Sequence, residues 1–166
     1  MGIVEAWEGV AECGLPGSIL PWLKERKRAH LIRQDLADLV RSVKQPPRPN
    51  LPRFENQAEL LGALYVIEGS RLGGQFIARH VEAVLSLGHG RGSRYFRGFG
   101  DETTSKWAEL THFLETEVSD QETEAAIRGA KKMFGAVGEW MRGMEELNLY
   151  RKSTPSRSPS DGVKAM

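Results

Sequence analysis

The feature of this sequence with the clearest chemical potential is a set of glycines inside an otherwise strongly helical segment. Gly62, Gly69, Gly73 and Gly74 interrupt helix-forming residues between positions 56 and 88, and each costs a helix about 1 kcal/mol relative to alanine. Spacings of seven and four place the first three on one helical face. Two interpretations stay open: close packing against another helix, or a flat ligand lying against bare backbone over a kink.

Other residues could bind metal or phosphate. Glu109 and His112 form an ExxH pattern on a predicted helix, a unit that di-iron bundles use twice; a single copy favours a structural or surface role. The basic run 24–33 could contact phosphates. However, the sequence has no helix-turn-helix pattern, so we interpret that run as a solvated helix face and expect no nucleic-acid partner.

Composition indicates a soluble, single-domain protein. The chain has 166 residues, of which 40% are hydrophobic and 27% charged, with a net charge of +1 and one cysteine, Cys13. One cysteine excludes a disulfide framework and multi-thiolate metal sites. No apolar run approaches the roughly 18 residues of a membrane helix, so we expect a cytoplasmic protein. The basic segment 21–53 and the acidic segment 101–127 could pair or mark separate surfaces.

The elements that must position these residues are helices, because apolar residues recur at helical spacing and no segment alternates as a strand. We therefore predict an all-α bundle over 1–148, followed by a polar, disordered tail at 149–166. The predicted helices cover the first 13 residues, a stretch from a Ser18 N-cap through Val43, 56–88, 101–114 and 119–144, with a proline-rich stop at 44–52. Asn56 with Glu59 predicts a capping-box-like start of the third helix, and Ser119 and Asp120 offer caps for the fifth. The apolar stripe of the second helix comprises Leu31, Ile32, Leu36, Leu39 and Val43, and one face of the fourth carries Trp107, Leu110 and Leu114.

The segment GALYVIEGSRLGGQFIARH, residues 62–80, resembles the distal helix of heme oxygenases, and it is most similar to the bacterial subgroup associated with phytochromes. A looser similarity extends through RYFRGFG at 94–100, the helix at 107–114 and AAIRGAKKMFGAVGEWM at 125–141. Weaker similarity reaches back through WLKERKRAHLIRQDLADL to Trp7. The resemblance covers nearly all of the chain up to about residue 145.

This resemblance implies a heme-oxygenase-like helical bundle with heme held between two helices. The implied reaction is the opening of heme to biliverdin, with release of iron and carbon monoxide. Heme would be both substrate and cofactor, and molecular oxygen and an external reductant would be consumed. The implied partners are an electron donor such as a ferredoxin, docked on a basic surface, and a phytochrome that accepts biliverdin.

The resemblance also implies the site residues. Gly69, Ser70, Gly73 and Gly74 would form the catalytic distal segment, where Ser70 stands at the position of an aspartate that orders distal water in many members. The subgroup also lacks that aspartate. The implied heme-binding residues are Tyr65, Leu72 and Phe76 near the glycines, Lys106 and His112 at the propionates, and Phe134 in the apolar wall.

One expected residue has no counterpart. The family's proximal iron ligand is a histidine on a helix before the segment that matches residues 1–13, and none of His30, His80, His89 and His112 matches it. No metal ligand is therefore assigned. Three explanations stay open: a misassigned start, a naturally shortened relative that no longer turns over heme, or a different ligand or function.

The missing helix leads to an alternative function and a structural expectation. The alternative is a non-catalytic or vestigial tetrapyrrole-binding protein of the same fold. We also expect faces normally covered by that helix to be exposed, including Ile3, Trp7 and part of the glycine helix, and to favour self-association.

Overall fold

The computed structural model describes residues 2–39, 48–88 and 90–153, and those ranges contain helices, turns and no strand. This confirms the predicted all-α class. Within the described ranges, no helix is both long enough and apolar enough to cross a membrane. The helices are α1 (Ile3–Gly14), α2 (Leu20–Arg26), α3 (Ala29–Leu39), α4 (Gln57–Gly69), α5 (Gly74–Val84), α6 (Arg94–Arg97), α7 (Thr103–Glu117) and α8 (Thr123–Ser153), with 3₁₀ turns at Gly100–Glu102 and Asp120–Glu122.

The centre of the bundle is α4, since ten of its 13 residues are buried. Its start follows the predicted cap: the Asn56 Oδ1 accepts a hydrogen bond from the Glu59 amide at 3.0 Å. The Glu59 carboxylate in turn accepts from the Glu55 amide at 3.0 Å. Two backbone donors that no helical carbonyl can reach are thereby satisfied.

Close contact between α4 and α8 depends on glycine. A Cβ atom on Gly62 would lie 1.8 Å from the Ala126 carbonyl oxygen, and a Cβ on Gly129 would lie 1.9 Å from the Glu59 carbonyl oxygen. Both helices therefore meet backbone to backbone at this crossing. For Gly62, the packing interpretation of the glycine pattern is correct.

The first helix is covered rather than exposed. Trp7 is only 2% exposed and packs edge-to-face on Phe54, with 5.8 Å between ring centroids. The expectation that Trp7 lies on an open face is therefore wrong, because Phe54 and the core side of α4 cover it; Ile3 is half-buried. The core around Trp7 includes Ala11, Leu15, Leu23, Leu61, Leu64, Leu110 and Met133.

The predicted second helix is two helices. Lys27 has an extended backbone and separates α2 from α3, and Ile19, not Ser18, precedes the first turn of α2. The predicted apolar stripe on α3 is also wrong: Leu36 and Leu39 are exposed, whereas Asp35 is buried. Val43, the last member of that stripe, lies outside the described residues.

Asp35 is buried because it caps another element. Its carboxylate accepts hydrogen bonds from the Arg94 amide at 2.9 Å and from the Tyr95 amide at 2.8 Å. These are free donors in the first turn of α6, so a charged side chain replaces an apolar one at the interface between α3 and α6.

Two further boundaries differ from the sequence prediction. The single helix predicted over 56–88 is broken into α4 and α5 by the turn at 70–73. The last helix reaches Ser153, so the first five residues of the predicted disordered tail are helical. The rest of that tail, 154–166, lies outside the described residues. At the start of the 3₁₀ turn before α8, Ser119 and Glu122 form a capping box.

Glycine substitutions in α8 test the backbone contact with α4. We expect Gly129→Ala to lower the free energy of unfolding by about 1–3 kcal/mol or more, because the added methyl group must displace the Glu59 carbonyl. The matched control is Gly135→Ala in the same helix, where a Cβ meets nothing within 4 Å; it should stabilise by about 0.5–1 kcal/mol. Urea unfolding followed by circular dichroism measures both, and equal effects would contradict the proposed contact.

Candidate functional site

The chain changes its hydrogen-bond pattern where α4 ends. The Arg71 amide donates to the Glu68 carbonyl at 3.0 Å and the Leu72 amide to the Gly69 carbonyl at 3.1 Å, each three residues back instead of four. In a continuing α-helix, Arg71 would donate to the Ile67 carbonyl. The break therefore leaves the Ile67 carbonyl without its usual backbone partner.

Side chains replace that partner. Arg28 Nη2 donates to the Ile67 carbonyl oxygen and also to Ser70 Oγ at 2.7 Å. The Ser70 hydroxyl donates to the same Ile67 carbonyl at 2.7 Å. The hydroxyl of the predicted catalytic serine is thus engaged at the helix end, where it helps to hold the break.

A buried ion cluster lies directly beneath the break. The Glu68 carboxylate accepts from Arg26 Nη1 at 2.8 Å and pairs with Arg71 Nη2 at 2.7 Å, and all three side chains are at most 5% exposed. Arg28 is 2% exposed. The interpretation of Arg26 and Arg28 as part of a solvated basic face is therefore wrong, because both guanidiniums serve the buried end of α4.

Positive charge is in excess in this cluster. Three guanidiniums are buried here, and two of them, those of Arg26 and Arg71, pair with the buried carboxylate of Glu68. Burial lowers the pKa of Arg71 to about 10, with contributions from Arg28 and Arg26. The Glu68 charge opposes this shift. Flat aromatic faces supply further contact: the Arg71 guanidinium lies 4.2 Å from the Phe99 ring centroid, a favourable cation–π arrangement.

The cluster is connected to α7 through Glu109, whose carboxylate lies 3.1 Å from Arg26 Nη2 and 2.8 Å from Lys106 Nζ. Trp22 Nε1 donates to the same carboxylate at 2.7 Å. Hydrogen bonds from Lys106, Trp22 and Arg26 lower the pKa of Glu109 to about 2. At this point the basic and acidic segments pair, whereas Lys27 and Arg33 pair with Glu12 and Glu5 of α1.

Trp107 is the residue around which the structure gathers several predicted site residues. A Cβ on Gly69 would lie 3.4 Å from the Trp107 ring, and the ring centroids of Tyr65 and Trp107 are 5.0 Å apart. Leu72, Trp107 and Lys106 line one small cavity of about 10 Å³. The sequence placed Trp107 only on a helix face; a long-range contact gives it this position.

Exposed apolar side chains lie on both sides of the break between α4 and α5. Tyr65 is 43% exposed, Leu72 45% and Phe76 73%. Around Gly73 a Cβ would meet nothing within 4 Å, so this glycine leaves bare, accessible backbone next to exposed apolar side chains. Such a combination is typical of a binding surface rather than of ordinary solvent-facing helix.

A groove continues from Tyr65 between α4, α7 and α8. Its volume is about 470 Å³, within the usual range of about 300–1,000 Å³ for small-molecule sites. Exposed acidic residues, Glu115 and Asp120, also line it. The apolar lining comprises Leu61, Tyr65, Leu114, Val118, Ile127 and Ala130.

Three predicted site residues lie elsewhere. Gly74 is buried, and a Cβ there would lie 2.2 Å from the Phe96 carbonyl oxygen, so it permits helix packing. His112 is exposed and lies two residues from the fully buried Leu110, about 160° away around α7, so it faces away from the core side. Phe134 is 64% exposed on α8 and does not line the groove.

The described histidines do not line the groove. His30, His80 and His112 are all exposed, and none of the three is among the residues around it. His89 lies outside the described residues. Among the residues that the structure describes, no three histidine, cysteine or carboxylate side chains come together as a metal site.

Comparisons with known proteins agree with the sequence resemblance. The heme oxygenase family model matches residues 28–143. Heme oxygenase PigA of Pseudomonas aeruginosa is 30% identical over 122 residues, covering 73% of this chain and 61% of that protein. The heme oxygenase of Xanthomonas campestris is 34% identical over 110 residues, covering 66% of this chain and 64% of that protein. The chain thus spans less than two thirds of the length of these curated relatives, and no solved structure matches it.

The depressed pKa of Glu109 predicts a pH dependence. Its ionised carboxylate stabilises the fold fully above its ordinary pKa of 4.5, and this stabilisation is lost as the pH falls through about 2. We expect Glu109→Gln to unfold at lower urea concentration near neutral pH and to lose less stability on acidification than the unsubstituted protein. Glu115→Gln, an exposed carboxylate on the same helix, is the control. Parallel pH profiles for all three proteins would contradict this assignment.

Proposed function

Because this chain belongs to the heme oxygenase family, we propose that it binds heme at the glycine break between α4 and α5 and takes part in opening the macrocycle to biliverdin. The observation that carries this proposal is the bare backbone of Gly73, which lies next to the exposed side chain of Leu72 and three residues before that of Phe76. A flat macrocycle needs a surface that its ring can approach closely, and glycine removes the side chains that would prevent this.

The residues of this surface fit a planar, largely apolar ligand. Tyr65 and Leu72 are each nearly half exposed, so a ligand covering them would remove apolar area from water at about 25 cal/mol per Å². The Trp107 ring packs on the side of Gly69 to which a Cβ would point, 3.4 Å from that position, so a ligand here would meet the ring and not the Gly69 backbone. Phe76, just after the break, would extend the same apolar contact.

Bound heme supplies the iron at which oxygen is bound and activated. The chain's part is to bind the macrocycle, exclude water from its distal side and fix its orientation. Ser70 keeps its hydroxyl on the Ile67 carbonyl, which holds the adjacent backbone in place. Lys106, 30% exposed and paired with Glu109 at 2.8 Å, is placed to attract a propionate at the edge of the Trp107 surface.

An external reductant, such as a ferredoxin, and a phytochrome as acceptor of biliverdin are part of the proposal. The basic surface expected for a ferredoxin is smaller than the sequence indicated. Arg26 and Arg28 are buried, and Lys27 and Arg33 already pair with carboxylates of α1. Docking of an acidic donor would have to use other exposed cations, of which Lys24 belongs to the same segment.

A hemin titration followed by reduction tests this function. We expect a saturable Soret band at one hemin per chain and, after ascorbate or reduced ferredoxin is added in air, decay of that band with the rise of biliverdin absorbance. A saturable Soret band without conversion would support the alternative of a non-catalytic tetrapyrrole-binding protein. No saturable band would contradict heme binding by this chain.

Gly73→Leu tests the position of the ligand. The residue has an ordinary helical backbone and open space around its Cβ, so the leucine fits the free protein yet projects over the proposed surface. We expect at least a tenfold loss of hemin affinity with unchanged or slightly higher helicity. The control is Gly9→Leu, an exposed glycine of α1 whose Cβ also meets nothing within 4 Å. Equal hemin affinity in both variants would show that Gly73 is not part of the binding site.

A further inference from the structure

Arg28 is an unusual residue to find at the end of a helix to which it does not belong. It lies in the short link between α2 and α3, 2% exposed. Its backbone is held by α1: the amides of Arg28 and Ala29 both donate to Glu8 Oε1, at 2.7 and 2.9 Å. From this fixed base, its side chain reaches the end of α4.

The guanidinium makes a specific set of contacts there. Its Nη2 donates to the Ile67 carbonyl and to Ser70 Oγ, and its Cζ lies 4.6 Å from the Tyr95 ring centroid. The ring fixes the guanidinium plane, and the two acceptors fix its direction. A cation at a helix C-terminus is also favoured by the helix dipole.

These contacts stabilise one of two backbone arrangements. If α4 continued as a regular helix, the Ile67 carbonyl would accept the Arg71 amide, and it would no longer need Arg28 and Ser70 as substitute donors. In the observed arrangement the Arg71 amide donates to the Glu68 carbonyl, and Arg28 donates to the Ile67 carbonyl in its place. Arg28 therefore favours the break over the continuous helix that the apolar spacing of the sequence predicts.

We propose that Arg28 is a positioning residue that sets the shape of the turn at 70–73 and, through it, the distance at which Gly73 meets a bound tetrapyrrole. The identity of the ligand in this inference rests on the proposed function. The effect of Arg28 on the backbone of the free protein does not depend on that function. Arg28 acts from behind the break, through Ser70 and the Ile67 carbonyl, and touches no ligand itself.

The test uses two variants and one control. Arg28→Met keeps the length of the side chain and removes one cation from a cluster that already has an excess of positive charge, so it leaves no uncompensated carboxylate. Ser70→Ala removes the other substitute donor at an exposed position. The control is Arg33→Met, an exposed arginine that pairs with Glu5 outside the break.

The first measurement needs no heme. Amide hydrogen exchange of the free protein should change by about tenfold or more at residues 70–74 in Arg28→Met and in Ser70→Ala, while exchange in α7 and α8 stays as in the unsubstituted protein. Arg33→Met should leave residues 70–74 unchanged. If Arg28→Met raises exchange throughout the chain, the result for Ser70→Ala decides. Unchanged exchange rates at residues 70–74 in that variant would overturn the proposal.

The second measurement uses hemin. We expect Arg28→Met and Ser70→Ala to weaken hemin binding several-fold and to shift the Soret maximum, and Arg33→Met to match the unsubstituted protein. Normal hemin affinity and an unshifted Soret band in both break variants would overturn the positioning role. If the unsubstituted protein binds no hemin, the proposed function fails, and hydrogen exchange still decides whether Arg28 sets the turn.

Discussion

The structure depends on satisfying one buried helix end. Helix α4 passes through the core with ten of its 13 residues buried, and the Ile67 carbonyl in its last turn lacks the backbone donor of a continuing helix. Arg28 and Ser70 donate to that carbonyl instead, and Arg26 and Arg71 pair with the neighbouring Glu68 carboxylate. Because these partners come from the link between α2 and α3 and from the turn itself, the position of the break is tied to the packing of α1, α2 and α3.

The two interpretations of the glycine pattern apply to different glycines. Gly62 and Gly74 permit helix packing, since a Cβ on either would overlap a neighbouring carbonyl. Gly69 meets only the Trp107 ring, at ordinary contact distance, and Gly73 meets open space. The packing glycines hold the scaffold on both sides of the turn. Of these four glycines, Gly73 alone leaves its Cβ side open, which is what close approach by a planar ligand requires.

The sequence predicted the elements that depend on local patterns, including the Asn56 cap, a cap at Ser119 and the Trp107–Leu114 face of α7. It did not predict features that depend on distant partners. Arg26 is buried because it pairs with Glu68, which is 42 residues away in the sequence. Asp35 is buried because it accepts a hydrogen bond from the Arg94 amide at the start of α6, 59 residues away. The glycine pattern allowed a kink in this segment, but it did not show where the helix ends, because Arg28 acts on the helix end from a distant part of the sequence.

We propose that a bound tetrapyrrole lies on the surface around Trp107 and the glycine break. Amide NMR spectra with ferric hemin, compared with the diamagnetic gallium protoporphyrin complex, test this position most directly, because paramagnetic broadening is strongest nearest the iron. We expect the strongest broadening at Tyr65, Gly69 and Gly73. Strongest broadening around the separate cavity of about 210 Å³ lined by Trp140 and Met144 would contradict it.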